Sequence, residues 1–198
     1  MDVTLIDSPV ANVANIARAL RAAGATLRIT REAAEIADAQ KLVLPGVGSF
    51  VAAMSWLRTT RIDAALHDAT ARGASLLGVC VGHQLLFDSS DELGVTRGLG
   101  LVRGAVRKLD SVLPVPQIGW NRVAANGSAL FANIAANTPF YFVNSYAASG
   151  AADEIARAEY GGAFTAAVQR GNIFGVQFHP EKSSRAGLQL LRNFVAWT

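Results

Sequence analysis

The stretch Ser75-Leu-Leu-Gly78-Val79-Cys80-Val81-Gly82-His83-Gln84-Leu85-Leu86-Phe87 decides how this chain is read. Its first half is apolar without alternation, as expected of a strand covered on both faces in a parallel sheet. The run then breaks at Gly-x-Cys-x-Gly and resumes at helical spacing. A strand that turns this sharply into a helix needs the glycines, because neighbouring backbone packs close to the turn. The arrangement is a nucleophile elbow with cysteine in place of serine. It sets the sulfur at the carboxyl end of the strand, where the helix dipole favours the attacking thiolate. On its own, the pentapeptide reads equally well as a tight strand-to-helix crossing with a buried thiol. Ligands of open parallel sheets gather at carboxyl ends of strands, which tilts the reading toward function.

Upstream, the pattern alternates between strands and helices. Val3 to Ile6, Leu27 to Thr30, Lys41 to Leu44 and Ala74 to Val79 read as strands. Val13, Ile16, Ala17 and Leu20 recur at helical spacing before Gly24, and Glu32 to Ala39 suits a short helix. Two more helices are expected over 50–58 and 61–72, the second closed by Gly73. Downstream, short strand-like runs follow at Leu101–Leu109, Phe140–Val143, Glu154–Glu159, Phe164–Arg170 and Asn172–Phe178, with turns at Gly161-Gly162 and Gly171-Asn172. An amphipathic helix over Ser184 to Trp197 ends the chain. The expected fold is α/β: an open, mostly parallel sheet flanked by helices, with an antiparallel strand extension. With no repeat or linker, residues 1–198 are read as one domain.

Composition narrows the function. The chain has 198 residues, 51% hydrophobic and only 17% charged, which fits a well-buried interior. A net charge of +3 is scattered, without a basic arm or a nucleic-acid-reading motif, so nucleic acid is set aside. The single cysteine excludes an intrachain disulfide and a cysteine-rich metal site. The N-terminus lacks the basic and long apolar regions of a signal peptide, and no run approaches a bilayer span. A cytoplasmic protein is expected, with no membrane partner.

A cysteine nucleophile needs a base and a group to orient it. Three histidines are available. His67 lies among Asp63 and Asp68 on a polar helix face and reads as a surface residue. His83, three residues after Cys80, can pack or hydrogen-bond locally. His179 follows the apolar run Ile173-Phe-Gly-Val-Gln-Phe178 and opens His179-Pro180-Glu181. A histidine at a strand end is ordinarily a cap or a surface residue. Here Pro180 fixes the chain direction, and Glu181 is close enough to bond the second ring nitrogen, as the acid of a triad does. The developing oxyanion needs donors as well. The N–H of Val81 is one. Pro45-Gly46-Val47-Gly48, at the end of a neighbouring strand, can supply another, although Pro-Gly-x-Gly is also a common turn.

Taken together, the PGVGSF loop, GVCVGHQ and GVQFHPEKS resemble the class I, triad-type glutamine amidotransferases. Val115-Pro-Gln-Ile-Gly-Trp-Asn121, Tyr141-Phe-Val-Asn-Ser-Tyr146 and Gly187-Leu-Gln-Leu-Leu-Arg-Asn-Phe194 extend the likeness over the whole chain. They make it most similar to the branch that serves as glutaminase subunits of imidazole glycerol phosphate synthases. That branch usually carries Met where His83 stands and often His where Asn144 stands; neither position belongs to the triad.

The resemblance implies that Cys80 attacks the side-chain amide of L-glutamine, that His179 and Glu181 complete the triad, and that no cofactor or metal is needed. It implies an oxyanion hole from Val81 with Gly46, Val47 and Gly48, and substrate binding by Gln84, Asn144, Ser145 and Tyr146. It also implies a (β/α)8-barrel cyclase partner in histidine biosynthesis, met by Trp120, Tyr141 and Lys182 and fed ammonia through a channel. For those three, the plain alternatives are core aromatics and a solvated lysine. The competing functions are a glutaminase subunit of anthranilate or aminodeoxychorismate synthase, an inactive regulatory homologue, and a stand-alone cysteine hydrolase.

Overall fold

A computed structural model describes residues 1–9 and 11–198. Strand β1 (Asp2–Ile6) leads into α1 (Val13–Ala22), which buries Ile16, Ala17 and Leu20, one stripe of an amphipathic helix. Next come β2 (Thr26–Thr30), α2 (Ala33–Ala37), β3 (Lys41–Gly46), α3 (Phe50–Thr59) and α4 (Ile62–Ala71). Strand β4 (Ser75–Cys80) passes directly into α5 (Val81–Leu85). The middle supplies β5 (Ser89–Ser90), β6 (Thr96–Arg97), β7 (Ala105–Lys108), β8 (Gln117–Ala125), β9 (Thr138–Asn144), β10 (Tyr146–Ala148), β11 (Glu154–Glu159), β12 (Ala163–Arg170) and β13 (Ile173–Val176). Helix α6 (Ser184–Ala196) is the last element.

Among the described residues, nine strands form one mixed sheet in the order β2-β1-β3-β4-β13-β12-β11-β8-β9. The first five are parallel, and the remaining pairings are antiparallel. From β1 the chain moves outward to β2, then back past β1 to β3 and β4. Right-handed crossovers put α1 on one face and the following helices on the other. In agreement, α1 packs against α6, while α4 packs against α2 and α3. The strand order therefore reverses between β1 and β3, and the carboxyl ends there open a crevice. No helix among the described residues is long and apolar enough to cross a membrane.

Three features differ in detail from the sequence reading. Residues 172–178 were expected in the antiparallel extension, but β13 is the seam: antiparallel to β12 and parallel to β4. The tight turn at Gly171 sets the first pairing, and the free edge of β4 takes the second, because buried backbone groups must be paired. The Val115–Asn121 motif runs into the nine-residue β8, which the sequence does not display as a strand because Gly119, Asn121 and Arg122 blur its alternation. The run Leu101–Leu109, expected in the antiparallel extension, instead supplies β7 to a second sheet, in the order β10-β7-β5-β6, that was not expected. Its two-residue strands are too short to show a period.

All six residues of β4 are buried, with β3 and β13 on either side. The other end of the site rests on an aromatic cluster. Phe178 stacks on Phe140 at 4.1 Å and meets Phe142 edge-on at 5.6 Å. Such pairs contribute about 0.5–1.5 kcal/mol each beyond their buried area. They seat β9 firmly against the segment that carries His179.

Candidate active site

The elbow is built by close approach of backbones. A Cβ on Gly82 would lie 1.9 Å from the carbonyl oxygen of Leu44, and one on Gly78 would lie 2.5 Å from that of Gly82. No other residue fits either position without moving β3 or α5. Between them Cys80 takes φ +56° and ψ −112°. A non-glycine residue held there costs about 1–3 kcal/mol, offset by the packing around it. The turn leaves Cys80 buried at the carboxyl end of β4, with Sγ 3.8 Å from the carbonyl oxygen of Val143 in β9.

His179 comes from the chain just after β13, the parallel neighbour of β4, so both residues leave the sheet at the same edge. Nδ1 of His179 lies 2.8 Å from Oε1 of Glu181, and the two side chains are only 5% and 6% exposed. Burial pushes the imidazole down from its ordinary value of 6.5. Hydrogen bonding to Cys80 and Glu181, and the charge of both, outweigh that and raise it to about 10. The imidazole thus stands between a thiol and a carboxylate, and a proton placed on it is strongly held. Of the other histidines, His67 is exposed. His83 is fully buried, edge-on to Phe87 at 5.1 Å.

The PGVG loop divides. Gly46 is buried, pairs in register with Cys80, and lies so close to the elbow that a Cβ would meet Gly82 N at 2.8 Å. Val81 is buried at the start of α5. Val47 and Gly48 lie on the exposed part of the loop, Gly48 at φ +81°. Val47 still lines a cavity of about 30 Å³ with Gly46, His179 and Glu181, at the crevice where the strand order reverses. The loop ends where the N–H of Phe50 donates to Oε2 of Glu92 at 2.7 Å.

The expected substrate residues cluster too. Nε2 of Gln84 donates to the carbonyl oxygen of Tyr146 and to Oε1 of Gln177, both at 2.9 Å. Nδ2 of Asn144 donates to the same Tyr146 oxygen at 3.2 Å. Ser145 stands between Asn144 and Tyr146 in the chain, and its carbonyl oxygen accepts from the N–H of Leu109 at 2.9 Å. In this conformation the Gln84 amide nitrogen is engaged with the protein and holds the Tyr146 backbone in place. Gln177, Glu92, Val143 and Ser183 were missed as site residues. Gln177 and Ser183 stood inside the quoted GVQFHPEKS without a role, and Val143 acts through a carbonyl that no side chain announces.

Trp120 is 55% exposed and meets Tyr141 edge-on at 5.9 Å, and Nζ of Lys182 lies 5.7 Å over the Tyr141 ring. Ile118, two residues from Trp120 on β8 and so on the same side of the strand, is 64% exposed. Neither Trp120 nor Tyr141 belongs to the buried core. Together they form an apolar and aromatic patch one residue from Glu181.

The chain is similar to known proteins over nearly its whole length. The chain is 43% identical over 195 residues to imidazole glycerol phosphate synthase subunit HisH of Moorella thermoacetica, covering 97% of this chain and 93% of that one. It is 45% identical over 197 residues to the subunit of the same name from Herpetosiphon aurantiacus, covering 98% and 93%. Among solved structures, one described as glutamine amidotransferase superposes with TM-score 0.77 at 17% identity, covering 98% of this chain and 96% of that one. PurLQS from Thermotoga maritima gives 0.75 at 17%, covering 98% and 97%. Those two are likenesses of fold. The family profile described as glutamine amidotransferase class-I matches residues 4–197, and the chain belongs to the class-I glutamine amidotransferase family.

Proposed function

We propose that this chain is the glutaminase subunit of an imidazole glycerol phosphate synthase, acting as one amidotransferase domain in the cytoplasm. It hydrolyses L-glutamine and passes the ammonia to a (β/α)8-barrel cyclase subunit in histidine biosynthesis. The observation that carries the reading is the convergence of Cys80, His179 and Glu181 at one sheet edge, in a chain 43–45% identical to HisH subunits over nearly its full length. The buried Cys–His–Glu geometry counts against an inactive homologue.

The chemistry follows from the positions. Glu181 accepts from Nδ1–H, which leaves Nε2 directed toward the sulfur. Sγ, its proton already held on His179, attacks the carboxamide carbon of glutamine. The oxyanion is held by the N–H of Val81 and a peptide N–H of the Gly46–Gly48 loop. The C–N bond breaks as His179 protonates the leaving nitrogen, giving ammonia and a glutamyl thioester. Water, deprotonated by His179, attacks the thioester; glutamate leaves, and the sulfur is freed with the proton on His179. Gln84, Asn144, Ser145 and Tyr146 hold the amino-acid end of the substrate. The exposed patch of Ile118, Trp120, Tyr141 and Lys182 suits a partner, since aromatic residues anchor interfaces.

The test is to purify the chain with its binding partner and replace Cys80 by Ala. Glutamine-dependent synthesis of imidazole glycerol phosphate should vanish, while synthesis from added ammonium salts persists. Loss of both would assign Cys80 a structural role. Recovery of a chorismate-binding partner in place of a barrel would overturn the pathway.

A further inference from the structure

The side chain of His179 is held by Glu181, but its backbone is held by a separate device. The N–H of His179 donates to the carbonyl oxygen of Tyr141 at 2.8 Å. The N–H of Tyr141 donates to Oγ of Ser183 at 3.0 Å. The hydroxyl of Ser183 then donates to the carbonyl oxygen of His179 at 2.6 Å. The three bonds close a ring, and Ser183 is only 1% exposed. Strand β13 stops at Val176, so the His179 peptide has lost its ladder partners and must find others. A serine hydroxyl is suited to this because it donates and accepts at once. Ser183 is itself anchored by α6, where the N–H of Gly187 donates to its carbonyl oxygen at 3.0 Å.

Two residues along β9 from Tyr141, the carbonyl oxygen of Val143 faces Sγ of Cys80 at 3.8 Å. A single short piece of strand therefore spans from the base's backbone to the nucleophile. Its Tyr141 ring also touches Trp120 and Lys182 on the exposed patch.

We propose that Ser183 is a positioning residue for the base: its hydroxyl locks the His179 peptide to β9, which sets the imidazole against Cys80 and ties it to the partner-facing Tyr141. The inference rests on the glutaminase reading given above. Without the hydroxyl, His179 keeps Glu181, its N–H bond to Tyr141 and the bond its carbonyl oxygen accepts from the N–H of Lys182 at 3.1 Å within its own turn, so a single backbone bond ties the turn to β9 and it can swing away from the sulfur.

The experiment compares Ser183→Ala with Thr70→Val, assayed with the barrel partner bound. Thr70 is also buried, and its hydroxyl donates to the carbonyl oxygen of Leu66 at 2.7 Å within α4. It controls for the loss of any buried hydroxyl. In Ser183→Ala, kcat for glutamine should fall about 10- to 100-fold, as expected for a misplaced catalytic group. KM should stay within about two-fold, because ground-state binding is untouched. The His179 titration, followed by NMR on the free chain, should move downward. Thr70→Val should lose thermal stability without losing kcat. Wild-type kcat with an unmoved His179 titration in Ser183→Ala, or an equal kcat loss in Thr70→Val, would overturn the inference. If Ser183→Ala does not fold, Ser183→Cys, which keeps a weaker donor, should show the same losses in smaller measure; unchanged kcat and titration there would overturn the inference equally. If the wild-type complex shows no glutaminase activity, the proposed function fails, and the NMR titration alone decides the role of Ser183.

Discussion

Oε1 of Glu181 lies 2.8 Å from Nδ1 of His179, two residues away in the chain, with both side chains almost wholly buried. The 3-10 turn over Pro180–Lys182 folds the carboxylate back onto the ring. The pair is thus local in sequence, while the sulfur it serves comes from a strand a hundred residues earlier in the chain.

Replacing Glu181 by Gln should lower glutamine-dependent kcat by about 10²- to 10⁴-fold, the range spanned by acid–base catalysis. It should also lower the His179 pKa from about 10, since Glu181 is one of the groups that raise it. Stability carries the same signature. Between 6.5 and about 10 the folded chain holds a proton on His179 that the unfolded chain has released. The stabilisation is therefore complete below pH 6.5 and lost as pH rises through 10. Urea unfolding at pH 7 and pH 9.5 should show a smaller alkaline loss in Glu181→Gln than in the wild type. An equal loss in both would refute the assignment.

His83 has the opposite sign. It is fully buried, neither ring nitrogen has a hydrogen-bond partner among the described residues, and burial lowers its pKa to about 3. Between pH 3 and 6.5 the unfolded chain binds a proton that the folded chain refuses, so stability falls as pH drops below 6.5. Replacing His83 by Met leaves no unpaired nitrogen and keeps a contact with Phe87 through a sulfur that favours aromatic edges. It should stabilise the chain by about 1–3 kcal/mol at pH 7 and more at pH 5. Denaturant midpoints at the two pH values decide it, and a destabilised variant at pH 5 would count against the account.

Lys41 is 7% exposed, and its Nζ donates to the carbonyl oxygens of Phe194, Val195 and Trp197. It closes the end of α6, where helix carbonyls lack partners and the dipole is negative. Lys41→Met should cost about 1.5–3 kcal/mol, the worth of hydrogen bonds to a charged group. Hydrogen exchange should rise at the end of α6. Lys41 pairs with Ser75, at the far end of β4 from Cys80, so kcat per folded molecule should be unchanged; a large kcat loss would show that the α6 anchor reaches the active site.

Trp120 is exposed on β8 beside Tyr141. If the proposed barrel partner docks here, Trp120→Ala should weaken association with it about 10- to 30-fold, as for a central aromatic anchor, and leave the unfolding temperature of the free chain in place. Calorimetric titration against the partner measures the first and thermal unfolding the second. Unchanged affinity would move the interface elsewhere on the surface.

The sequence alone determined whatever depends on neighbours along the chain. The unbroken apolar runs marked the parallel strands, because a strand buried on both faces has no polar side to display. Gly78 and Gly82 marked the elbow, because a side chain there would strike backbone. The spacing of His179 and Glu181 put carboxylate and imidazole within reach of each other. Tertiary structure decided the rest. Only long-range pairing made β13 the seam between the parallel and antiparallel halves and so brought His179 to the edge that carries Cys80. Only the pairing of β8 with β9 set Trp120 beside Tyr141. Val143 faces the sulfur through a carbonyl oxygen, a group every residue carries, and Ser183 is bonded on both sides to backbone. Such partners leave no trace in residue type, since hydrogen bonds to main-chain atoms are chosen by where the chain passes and not by what its side chains are.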